Sequence, residues 1–124
     1  MNIKQSQTTL SIKQIIDLHK ACEIIGDTHS FELSLLFKLI QQSSTPIFEL
    51  FQKFQKNSFE KYADETGASI LVSNEKKYLE EVDKMIDLQV EISIPNINIE
   101  VIEKNPSLFM NPNIIASFAP IISH

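Results

Sequence analysis

Between Glu75 and Ile94 the apolar residues change their spacing, and that change decides the fold class. Tyr78, Leu79, Val82, Met85 and Ile86 recur at three and four, which places them on one side of a helix. From Leu88 the period drops to two. Leu88, Val90, Ile92 and Ile94 alternate with Gln89, Glu91 and Ser93, the pattern of a half-buried strand that Pro95 then ends. A helix that runs straight into an alternating strand calls for mixed helix and strand content. The pattern predicts an α+β domain of about four helices packed with a small two-stranded sheet and an apolar C-terminal tail.

The remaining helices follow from their start and stop signals. Ser11 and Gln14 form a capping-box pair, with Leu10 and Ile15 at the staple positions, so a first helix runs from Ser11 to about Ile25 and stops at Gly26. A second, over about 31–43, is apolar nearly all round and is expected at the centre of the core. Thr45 and Pro46 read as the cap and first position of a third helix that runs to about Ala63, with Gly67 as its stop. Its apolar residues, Ile47, Phe48, Leu50, Phe51, Phe54, Phe59 and Tyr62, sweep an arc of roughly 180°, wider than the ~100° of a single packing face.

Ser69 to Val72 reads as a short strand, and the pairing expected is of this strand with 88–94. Ser73 or Asn74 then caps the fourth helix. Asn98 caps a helical turn over 99–104, and Asn111 followed by Pro112 starts another within the uncharged tail 105–123. Residues 1–9 are polar and are expected to be flexible, leaving 10–124 as one domain, a normal size for a chain of 124 residues.

Composition narrows the function classes. All eleven basic residues are Lys, with no Arg, and the net charge is −5. Arg supplies bidentate phosphate recognition, so nucleic acid is not an expected partner. No window is long and apolar enough for a membrane span, and the first residues lack the apolar core of a secretory signal. With one cysteine there is no internal disulfide, and a cytoplasmic location is the expectation.

Three sets of residues invite a chemical reading. His19, Cys22 and His29 have zinc-binding side chains, and Asp27 or His124 would have to complete the set, but their spacing matches no standard framework and Cys22 belongs on an apolar helix face. Asp27, His29 and Ser30 carry the groups of a hydrolase triad, yet neighbours in sequence do not converge as triad members do, and helix capping accounts for Asp27, Thr28 and Ser30 better. Glu75, Glu80, Glu81, Asp83 and Asp87 fall mainly on the polar side of one helix, where solvation is their ordinary role. No catalytic, metal or cofactor site is predicted.

Interaction has more support, because interface cores favour aromatics and exclude charge. Phe48 and Phe59 on the flank of the third helix, with Phe109, Ile115 and Phe118 in the tail, are the candidate contact residues for a protein partner or for self-association.

The opening Leu10-Ser11-Ile12-Lys13, the helix Glu75–Asp87 feeding Val90-Glu91-Ile92-Ser93-Ile94, and the ending Asn113-Ile114-Ile115-Ala116-Ser117-Phe118-Ala119-Pro120-Ile121-Ile122 together resemble small phage and prophage proteins of unknown function. The aromatic third helix and the lack of Arg depart from that pattern. The resemblance implies a phage-encoded accessory protein acting in a host cytoplasm, with no activity to carry over. The expected function is therefore protein binding or assembly. Two alternatives are an inhibitor of a host defence nuclease with an acidic surface, and a small enzyme or ligand-binding protein whose pocket converges on His19, Cys22 or His29.

Overall fold

The structure, a computed structural model, describes residues 3–123. Strand β1 (Gln5–Ser11) leads into α1 (Ile12–Ile25), which is followed by the long helix α2 (Phe31–Tyr62). Next come α3 (Glu75–Asp87), β2 (Gln89–Pro95), the two-residue strand β3 (Ile97–Asn98), α4 (Ile99–Lys104), α5 (Pro112–Phe118) and β4 (Ile122–Ser123). β1 and β2 pair antiparallel, with Leu10 opposite Val90 and Thr8 opposite Ile92, while β3 and β4 form a short parallel pair. The fold is α+β: among the described residues, five α-helices with a small antiparallel sheet.

Several local signals act as the sequence predicts. The Gln14 N–H donates to Ser11 Oγ (3.1 Å) and the Ser11 N–H to Gln14 Oε1 (2.9 Å), closing the capping box of α1. Gly26 ends that helix at φ +64°, a backbone conformation that a Cβ disfavours. Asn98 and Asn111 cap α4 and α5 through their side-chain oxygens.

Four local expectations give way. Residues 5–9, part of the segment expected to be flexible, are strand, and β1 rather than 69–72 is the partner of β2; Met1 and Asn2 lie outside the described residues. The predicted strand at Ser69–Val72 reduces to one bridge between Ala63 and Ile70, closed over a turn in which Asp64 Oδ1 accepts from the Thr66 N–H and hydroxyl. The second and third helices are one helix. Pro46 sits inside α2, where Thr45 Oγ1 donates to Gln41 O (2.7 Å) instead of capping a new start.

The core gathers Ile15, Leu18 and Cys22 of α1, Leu33, Leu36, Phe37 and Ile40 of α2, and Ile92 and Ile94 of β2. The uncharged tail docks on these residues through Phe109, Ile114, Phe118 and Ile121, and Phe37, Phe109 and Phe118 form a cluster with ring centroids 5.6–6.4 Å apart. Every buried residue of α2 precedes Pro46, and α3 has none. The two ends of α2 therefore differ: the first half belongs to the core, and the second, with α3, forms a helical arm beside it. Among the described residues, no helix is long and apolar enough to cross a membrane.

Candidate functional site

One carboxylate links the two helices of the arm at three points. Glu81 of α3 accepts from Ser58 Oγ (2.9 Å), Lys61 Nζ (2.9 Å) and Tyr62 Oη (2.7 Å), all on α2, and Phe59 meets Tyr78 edge to face. The Lys61 ammonium, followed by the Tyr62 and Ser58 hydroxyls, holds the Glu81 carboxyl down to about 2 from an ordinary 4.5. A carboxyl lowered by folding stabilises the fold above its unfolded value, and that stabilisation is lost as pH falls through 4.5 towards 2. Melting temperatures measured down this range should fall more steeply for the native chain than for Glu81→Gln. Parallel curves would show that the contacts of Glu81 add nothing.

Against the body of the molecule this arm leaves an apolar groove of about 360 Å³. Helix α2 contributes Ile47, Leu50, Phe51 and Phe54, the end of α3 contributes Met85 and Leu88, and Ile12 and Val90 complete it. Every lining residue is apolar, yet Leu50, Phe54 and Leu88 are 57, 50 and 59% exposed. Single exposed apolar residues are ordinary on any surface, but a continuous apolar groove is not. Leu88 also borders a depression whose other residues are Glu80, Asp83, Lys84 and Asp87, so that edge of the groove carries three carboxylates against one amine.

A second, polar cleft of about 450 Å³ lies beside Pro46, lined by His19, Glu23, Lys38, Gln41, Gln42, Thr45, Phe48, Glu49 and Gln52. His19 Nδ1 lies 2.8 Å from Ser44 Oγ, His19 Nε2 lies 3.0 Å from Glu23 Oε1, and the ring stacks on Phe48 at 4.4 Å. An ionised carboxylate only accepts, so in the neutral ring Nε2 carries the proton and the Ser44 hydroxyl donates to Nδ1. The order Ser44–His19–Glu23 has the connectivity of a nucleophile, base and orienting acid, but Ser44 is fully buried and no substrate reaches its oxygen.

The residues singled out from the sequence disperse. His29 is exposed on the loop before α2, Cys22 is buried, and among the described residues no three metal-binding side chains converge. His124 lies outside the described residues. Burial, then the charge of Glu23, pushes the Cys22 thiol up to about 12, which keeps it protonated and unreactive. Ser30 caps α2 by accepting from the Leu33 N–H (3.3 Å).

Of the interaction candidates, Phe109 and Phe118 are 2% and 0% exposed inside the chain's own core, Phe48 and Phe59 are half-buried against His19 and Tyr78, and Ile115 faces solvent. The groove residues Leu50, Phe54 and Leu88 were not among those candidates, although the wide apolar arc holding Leu50 and Phe54 pointed to them. No family model, curated protein or solved structure matches the chain.

Proposed function

We propose that the chain is a protein-binding accessory without catalytic activity. Its partner on this reading is an amphipathic helix, with apolar residues at i, i+3 or i+4 and i+7 and with Lys or Arg beside them, seated in the groove between α2, α3 and β2. The observation that carries the reading is the joining of an all-apolar groove to an acidic edge. Helix-in-groove recognition uses such a surface, with the apolar residues supplying affinity and the edge charges supplying orientation and on-rate. The carboxylates Glu80, Asp83 and Asp87 favour a basic partner over a second copy of a chain that is itself at −5. The same charge and the lack of Arg argue against nucleic acid as the partner.

Two synthetic helical peptides with one apolar stripe, flanked by Lys in one and by Glu in the other, test this by fluorescence anisotropy at low salt. The Lys-flanked peptide should bind with a dissociation constant of roughly 1–100 μM, and the Glu-flanked one at least about tenfold more weakly. Leu50→Glu should abolish binding without lowering the melting temperature, since Leu50 is exposed. Equal failure of both peptides would overturn the reading. A dimer in solution that Leu50→Glu converts to monomer would do the same, by making a second copy the occupant.

A further inference from the structure

Pro46 should break α2, and it does not. A proline inside a helix removes one N–H and sets its ring against the carbonyl four residues back, here that of Gln42. Next to the break the Thr45 hydroxyl bonds back to the preceding turn, donating to Gln41 O at 2.7 Å, while the Ser44 hydroxyl, 3.2 Å from the same carbonyl, has one proton to divide between it and His19 Nδ1. Such back-bonding bends helices more readily than it stiffens them. What spans the defect comes from another element. From α1, His19 meets Ser44 two residues before Pro46 and stacks on Phe48 two residues after it, at an interplanar angle of 25°. Glu23 Oε1, at 3.0 Å from Nε2, fixes the plane of the ring.

The half of α2 beyond Pro46 is held less firmly than the first, touching the core through Ile47 and α1 through Phe48. It has no buried residue, its close partner is α3, and α3 rejoins the body at Leu88, whose carbonyl accepts the Ile12 N–H at 2.9 Å. An arm joined to the body along the chain at Pro46 and at Leu88, with no fully buried side chain between them, moves most easily by rotation about the line joining those two points. That rotation moves Leu50 and Phe54 relative to Ile12 and Val90 across the groove.

We infer that His19 is the latch of a hinge at Pro46, holding the arm in the position that sets the width of the apolar groove. The hinge stands on the geometry around Pro46. Its regulatory consequence, that latch and ligand act on one equilibrium, rests on the groove being the docking face.

The test is pulsed electron-spin distance measurement on the full chain, with nitroxides on Lys20→Cys in α1 and Lys56→Cys in the arm; Cys22 is buried and stays unlabelled. The chain with His19 intact should show one narrow distance, and His19→Ala a broadened or second population. Adding Pro46→Ala, which restores the missing amide, should return the narrow distance. An unchanged distribution in His19→Ala overturns the hinge. So does broadening that persists after Pro46→Ala, because a ring that merely filled space would not be rescued by repairing a different helix. If His19→Ala does not fold, as judged by circular dichroism, Ser44→Ala takes its place in the same comparison. The affinity of the Lys-flanked peptide should change at least threefold in His19→Ala and recover with Pro46→Ala. Altered distances with unaltered affinity overturn the regulatory step alone, and a peptide that fails on the unaltered chain sinks the groove reading while the distances still decide the hinge.

Discussion

Phe118→Ala is expected to lower stability by about 3–5 kcal/mol, a drop of roughly 10–20 °C in melting temperature for a domain of this size. Phe118 is wholly buried, and its ring meets both Phe37 of α2 and Phe109 of the preceding loop, at centroid distances of 5.6 and 5.7 Å. Truncation removes the transfer energy of a phenyl group and leaves a hole that the other two rings, fixed on different elements, cannot close. The loss is comparable to the whole stability of a weak domain, about 5 kcal/mol, so the variant should be partly unfolded at 37 °C. Thermal and urea denaturation followed by circular dichroism measure it. A loss below about 1 kcal/mol would mean that α5 contributes little to the core.

Pro46→Ala should act in the opposite direction, raising stability by about 1–3 kcal/mol. Alanine returns an N–H to the carbonyl of Gln42 and removes the ring that crowds it. The gain stops short of the full penalty of a helix proline because the unfolded chain also becomes freer without the ring. A higher urea midpoint at constant slope is the expected reading. A neutral or destabilising result would mean that α2 has already relaxed around the ring, and it would remove the motive for a splint. The residue changed is exposed and lies away from the Phe118 cluster, so the two substitutions should combine additively.

Pro46 also marks where reading from sequence reaches its limit. Thr45-Pro46 carries every local sign of a helix start, and only the contact of His19 with Ser44, 25 residues away in the chain, shows why the helix continues instead. Elements whose signals are local were legible: the capping box of α1, the change of period between α3 and β2, and the asparagine caps of α4 and α5. Strand β1 was not, because in Gln5-Ser6-Gln7-Thr8-Thr9-Leu10 the alternation that marks a half-buried strand is nearly all polar, and Leu10 alone is buried. Ile70-Leu71-Val72 looked more like a strand and is not one, since nothing but Ala63 stands opposite it. At the groove, the excess apolar arc of α2 was visible. Which of its residues would stay uncovered depended on where α3 packs, and α3 settles over Phe59 and Tyr62 through Tyr78 and Glu81, leaving Leu50 and Phe54 open.

The pairing of β1 with β2 has a consequence for the order in which the molecule can form. Gln5 finds its partner at Pro95, so β1 leaves the ribosome well before β2 and cannot pair with it until the helices between them have followed. At a synthesis rate of about 5–20 residues per second the delay is roughly 5–20 s, far longer than helices such as α1 and α2 need to form. A waiting strand of apolar residues would recruit other nascent chains through its open edge. This one is built of glutamine, serine and threonine up to Leu10, and its affinity for β2 comes from a ladder that only the finished sheet supplies. The polarity that hides β1 in the sequence is also what lets it wait.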